Sequence, residues 1–230
     1  MEARGTIATQ TWRPQPFGPR HARDIVDAII EPLWAGDRAL LVVTGPTSKP
    51  AFLDVDGEAF DDPLLDPILA DLGTSLRADA VVLDGYLTRQ PNVKPDLAAT
   101  MGPAVPTHGE MLGQMFLGQR GGRAARAAEV KETVPLDPDL PLAFVAVDLL
   151  AIDDQALLDI PLLERKRILE TAFEEAEHLR LGVYVRPPIG SWLPGWRAFG
   201  FREVAYKAAN SRYTPGLPNP GWATAAIPSH

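Results

Sequence analysis

Apolar residues in this chain arrive in runs of strand length, and that spacing restricts its fold more than any other feature. RALLVV at 38–43, AFLDV at 51–55, AVVLDGYL at 80–87, LAFVAVDLL at 142–150, LGVYV at 181–185 and EVAYKAA at 203–209 are separated by segments rich in turn-forming residues. Each run is a strand prediction. The first two, joined by TGPTSKP, read as a hairpin. LAFVAVDLL is nearly continuous in its apolar character, which predicts burial on both faces of a sheet. No run approaches the roughly 18 apolar residues a membrane-spanning helix needs.

Helical patterns are fewer. PLLERKRILETAFEEAEHL, from Pro161, is the clearest: proline suits a first turn, and Leu162, Ile168, Leu169, Ala172 and Phe173 form an apolar stripe opposite the charges. Residues 63–72 and about 108–118 also read as helices, SWLPGWRAFG as a short helix or loop, and HARDIVDAII as a short helix bearing Ile25, Ile29 and Ile30 on one side. Strands and helices alternate without the regular spacing of βαβ units. The expected class is therefore α+β, with mixed, largely antiparallel sheets flanked by helices. Residues 1–20 carry Pro14, Pro16 and Pro19 and predict an extended arm; the Pro-rich stretch 217–230 predicts an irregular tail.

Composition excludes several function classes. There are no cysteines, so disulfide frameworks, thiolate metal sites and cysteine nucleophiles are ruled out, and a cytoplasmic setting fits. The net charge of −8 opposes nucleic-acid binding by bulk charge, leaving Arg120, Arg123 and Arg126 as the one dense basic patch and the DNA-binding candidates. GPTSKP lacks the second glycine and the GK[ST] ending of a phosphate loop. LDVDGEAFDD fails as a calcium loop because Phe52 and Pro63 fall where its first and twelfth positions require oxygen ligands. His21, His108, His178 and His230 have no paired ligand spacing, and no serine sits in a GxSxG elbow.

Four segments in order carry a further signal: EPLWAGDRALLVV, AVVLDGYLTR, FVAVDLLAIDDQALLDIPLLERKRILE and REVAYKAANSRYTPG. Together they resemble the adenylation domain of ATP-dependent DNA ligases, the covalent nucleotidyltransferases that also include capping enzymes, with their ATP-grasp-like fold. The resemblance runs from about Ile30 to Gly216 within a domain expected over 21–216. In that family a lysine attacks the α-phosphate of ATP, and the adenylate then passes to a DNA 5′-phosphate.

The position matching that lysine is Leu33, which has no lone pair, so covalent catalysis has no nucleophile there. Positions matching family carboxylates hold Ala35, Tyr86 and Arg202, although Glu203 neighbours the last; the family's SRNG arginine becomes Val55. A phenol and a guanidinium cannot replace anionic oxygens around magnesium, which counts against that metal. Trp222 remains without the lysines that follow it in the family, and the sequence ends where an OB-fold clamp would begin.

Other positions are retained. The resemblance assigns nucleotide binding to Glu31, Arg38, Phe144 and Lys207, with ATP or AMP as ligand; Asp84, Gly85 and Asp148 fit their motifs. Structural roles compete: Glu31 and Arg38 could pair with each other, and Phe144 could be core. The expectation is an inactive ligase-like module that binds a nucleotide or a DNA end, with DNA or a DNA-repair protein as partner and no membrane. The alternatives are a minimal ligase whose nucleophile moved to Lys49 or Lys94, and a ligand-free scaffold.

Overall fold

The computed structural model describes residue 7 and residues 10–92, 139–153 and 155–228. The expected helix at 108–118, Lys94 and Arg120, Arg123 and Arg126 lie outside the described residues.

Ten strands among the described residues form two sheets. Strands β1 (Ala28–Pro32), β9 (Glu203–Ala208) and β10 (Trp222–Ala226) make an antiparallel three-stranded sheet in the order β1-β9-β10. The second sheet contains β2 (Asp37–Val43), β3 (Ala51–Leu53), β4 (Ala59–Phe60), β5 (Val81–Thr88), β6 (Ala143–Ile152), β7 (Gln155–Ala156) and β8 (Leu179–Leu181). Its order is β4-β3-β2-β5-β6-β7, with β8 pairing β6 in parallel. The expected β2–β3 hairpin forms. β5 and β6 are central and buried over nearly their whole length, as their apolar runs require.

Three α-helices among the described residues flank the sheets: α1 (Asp66–Ser75), α2 (Leu162–Ala172) and α3 (Leu193–Ala198). One face of the large sheet, with Leu41, Leu83 and Phe144, packs on Leu65, Ile68 and Leu72 at α1 and Leu169 and Ala172 of α2. The other face looks toward the small sheet. There Leu40, Val42 and Val82 meet Trp12, Tyr213 and Trp222, and Tyr86, Val145 and Val147 meet Ile30, Val204 and Ala223.

Four local expectations are corrected. HARDIVDAII is a single 3₁₀ turn (Ala22–Asp24) followed by β1, because Ile29 and Ile30 are both buried in a strand between two packing partners. The tail is not wholly irregular: Trp222–Ala226 pairs with β9. The strand expected at 181–185 lies earlier, at Leu179–Leu181, and Val185 makes only an isolated bridge to Ile30. Finally, the stripe of α2 is not purely apolar, since Arg165 and Lys166 point inward with Leu162 and Leu169. The proline-rich arm is extended and well packed: Trp12 and Gln15 are buried, and Phe17 bridges to Asn219.

Candidate functional site between the sheets

A layer of buried ion pairs fills the space where the two sheets and α2 meet. Glu31 on β1 and Lys207 on β9 project from the same face of the small sheet as diagonal neighbours, two residues apart in register. Lys207 Nζ donates to Glu31 Oε2 at 2.9 Å. Lys166 Nζ, from α2, lies 2.5 Å from Glu31 Oε1 as an ion pair without hydrogen-bond alignment, and donates to Val147 O at 2.6 Å. All three side chains are at least nine-tenths buried. Lys207 Nζ also stands 4.6 Å over the Trp222 ring and Lys166 Nζ 5.1 Å over that of Tyr184.

The electrostatics follow from this crowding. Burial pushes the Glu31 carboxyl up, but Lys166 and Lys207 together outweigh it and hold the group below its ordinary value. Burial, aided by the charge of Lys207, pulls the Lys166 ammonium down against the attraction of Glu31.

Two further pairs complete the layer. Arg38 grips Asp84 with both nitrogens, Nε at 3.0 Å and Nη2 at 2.6 Å, and Tyr213 Oη donates to the same carboxylate at 2.8 Å. The Arg38 guanidinium lies about 6 Å from the rings of Phe17, Tyr86 and Trp222. Arg165 binds Asp148 in the same bidentate way, at 2.9 and 2.7 Å, and neither side chain is exposed. The α2 start is held by the loop after β9, where Leu162 and Leu163 N–H groups donate to the carbonyls of Ser211 and Ala209. That anchorage aims Arg165 and Lys166 inward.

The residues singled out from the sequence separate into two groups. Glu31, Arg38, Lys207, Asp84 and Asp148 converge in this layer, but Arg38 pairs with Asp84 rather than Glu31. Phe144 does not join them. It is fully buried in the helix-facing core, with its ring 5.7 Å from that of Phe52 and directly against Gly85. No surface of Phe144 is left on which a base could stack.

Leu33 follows β1, its N–H donating to Glu203 O at 3.0 Å, and its partly buried side chain packs on the apolar cluster of Trp34, Tyr86 and Val145. Ala35 N donates to the buried Gln90 Oε1 at 2.6 Å. Gly36 has φ +130° and a Cβ there would sit 2.0 Å from Leu87 O, so only glycine lets the loop cross β5 so closely. Tyr86 is buried, and burial raises its hydroxyl to about 12. Arg202 and Glu203 are exposed, Val55 sits on an open turn, and Lys49 pairs with Asp61 on the exposed hairpin at the far end of β2 from Leu33.

Sequence reasoning missed Lys166, Arg165, Tyr213 and Gln15. A signal existed for the first two: they share helical phase with Leu162 and Leu169, and carboxylates inside the apolar runs at Glu31 and Asp148 require buried cations. Tyr213 falls within REVAYKAANSRYTPG, but neither its partners nor the role of Gln15 could be read there, because their hydrogen bond joins residues 198 apart.

No protein-family model and no curated protein sequence matches the chain. Solved structures do. The ligase domain of LigD from M. tuberculosis superposes with a TM-score of 0.59 at 22% identity, covering 94% of this chain and 59% of that one. A mycobacterial DNA ligase D complexed with ATP and MES gives 0.58 at 21%, covering 93% and 59%. A Lig E DNA ligase gives 0.51 at 10%, covering 93% and 68%. This chain thus spans about three-fifths of the length of the two LigD structures. Its two largely antiparallel sheets and flanking helices have the fold of an ATP-dependent DNA ligase nucleotidyltransferase domain.

Proposed function

We propose that this protein is a ligase-like domain that does not carry a covalent adenylate, and that it serves as an accessory module binding a nucleotide or a DNA end in DNA ligation or repair. Leu33 carries this reading. A hydrocarbon packed against the apolar cluster that includes Trp34, Tyr86 and Val145 occupies the position that the resemblance gives to the nucleophile. The donors around it also do not suit magnesium: Ala35 offers none, Tyr86 is a neutral buried phenol, and Asp84 is committed to Arg38 and Tyr213.

Retained binding rests on charge. The buried layer holds four cations, Arg38, Lys166, Arg165 and Lys207, against three carboxylates, Glu31, Asp84 and Asp148. With Lys166 protonated, one positive charge is unbalanced, and a phosphate group supplies the counter-charge. A known relative in fold binds ATP, namely the mycobacterial ligase D. The test is a titration of ATP, ADP and AMP by calorimetry, repeated on Lys207→Met. Saturable binding weakened in the variant is the expected result, whereas no heat and no thermal shift with any nucleotide identifies a scaffold.

One observation favours a second, enzymatic reading: Lys166 brings a buried amine, with its proton affinity reduced, to the carboxylate two residues before Leu33. Intact mass after incubation with ATP and magnesium separates the two readings. An AMP adduct mapping to Lys166 would overturn the non-catalytic one.

A further inference from the structure

One groove in the described surface is lined by none of the paired charges of the buried layer. It lies where the end of the N-terminal arm meets the β9–β10 connection, has a volume of about 580 Å³, and is lined by Arg20, Val26, Arg212 and Leu217 above Gln15 and Asn219. Its floor is fixed. Gln15 Oε1 accepts from Thr214 N at 3.0 Å and from Asn219 Nδ2 at 3.2 Å, Gln15 Nε2 donates to Leu217 O at 3.0 Å, and Asn219 Oδ1 accepts from Gly221 N at 2.8 Å. A groove held this way is preformed, so a ligand does not have to order it.

The rim is unusual in two respects. Val26 and Leu217, at 83% and 60%, are the most exposed large apolar side chains among the described residues. Arg20 and Arg212 are exposed and their guanidinium groups have no ion-pair or hydrogen-bond partner among the described residues, while Asp27, the carboxylate of the groove, is already 2.7 Å from Arg186. Two free arginines beside two bare apolar side chains on a chain of net charge −8 call for a ligand with both negative charge and an apolar anchor.

We propose that this groove binds an extended segment of a partner protein in which acidic residues flank a bulky apolar one. A nucleic-acid strand fits less well: it needs a succession of cations along its phosphates and makes no use of a valine and leucine rim. The rim arginines Arg20 and Arg212 are not among the paired charges of the buried layer, so charge reversal at the rim tests this binding separately from the nucleotide reading.

The experiment selects random peptides of about a dozen residues on the immobilised whole chain and titrates the enriched ones by fluorescence anisotropy. Enriched peptides combine Asp or Glu with Leu, Phe or Trp. They lose about tenfold or more in affinity against Arg20→Glu/Arg212→Glu, and also weaken against Val26→Ser/Leu217→Ser. These positions are exposed, so unchanged circular dichroism and melting certify the fold. Failure to enrich any peptide over the arginine double variant overturns the proposal, as do enriched peptides without acidic residues. Binding of a 5′-phosphorylated single-stranded oligonucleotide that the arginine variant abolishes, with no peptide bound, assigns the groove to nucleic acid instead.

Discussion

Lys207 and Glu31, 176 residues apart in sequence, meet Nζ to Oε2 at 2.9 Å across the β9–β1 pair, and Lys166 closes on the other carboxylate oxygen from α2. This triad ties the small sheet, the large sheet and the helix together at one carboxylate. Glu31→Gln removes the charge and leaves two buried ammonium groups without a counter-ion, so a loss of about 3–5 kcal/mol in unfolding free energy is expected. The triple replacement Glu31→Leu/Lys166→Met/Lys207→Met is expected to cost much less than the sum of the single changes, because it abolishes the desolvation demand along with the attraction. Urea denaturation of Glu31→Gln, of the triple variant and of each of its single changes measures both.

The same triad sets a pH dependence. Glu31 in the folded protein titrates below its ordinary value of 4.5, so its contribution is fully present above that value and is lost as pH falls through the folded-state value. Lys166 titrates below 10.5 when folded; where the folded protein has released that proton and the unfolded chain still holds it, stability rises with pH. Denaturation midpoints between about pH 3 and 6 should fall more steeply toward acid in the parent than in Glu31→Gln. Equal slopes would show that Glu31 is not held as described.

Leu33→Lys is expected to yield no enzyme-AMP adduct by mass spectrometry with ATP and magnesium. The restored amine would enter an apolar cluster that includes Tyr86, and the carboxylates that act on Tyr86, Asp84 and Glu31, are already committed to Arg38 and to Lys166 and Lys207. Detectable AMP transfer to residue 33 would show that the surroundings were still competent.

Tyr213 Oη accepts from Gln15 N at 2.8 Å and donates to Asp84 Oδ2 at 2.8 Å, joining the N-terminal arm to the buried layer. Tyr213→Phe strands the Gln15 N–H and takes one donor from Asp84, which keeps Arg38, and should cost about 1–3 kcal/mol. It should also speed amide exchange in residues 12–18 relative to β5, which hydrogen-exchange mass spectrometry resolves.

Gly36→Ala is expected to destabilise by several kcal/mol, of order 3, because its φ of +130° disfavours any side chain and the new methyl would meet the Leu87 carbonyl at 2.0 Å. A parent-like melting curve would mean that the loop can move off β5.

The sequence by itself determined the strands whose burial is continuous, such as β5 and β6, since an apolar run of that length has to be covered on both faces wherever it lies. The β2–β3 hairpin was equally legible, because local turn chemistry sets its register. So was the absence of an amine at Leu33, which is a matter of covalent structure. Tertiary structure alone decided which charges meet. Glu31, Arg38 and Lys207 each had several partners open to them, and the choice of Lys166, Asp84 and Glu31 depends on how two sheets and a helix stack. It also decided that Phe144 belongs to the helix-facing core, because β6 is apolar on both faces and only the stacking of helices and sheets settles which face turns toward the helices. Strand formation is a short-range preference summed along the chain, whereas partner choice for a buried charge is a long-range matter settled by which desolvated groups arrive at the same place.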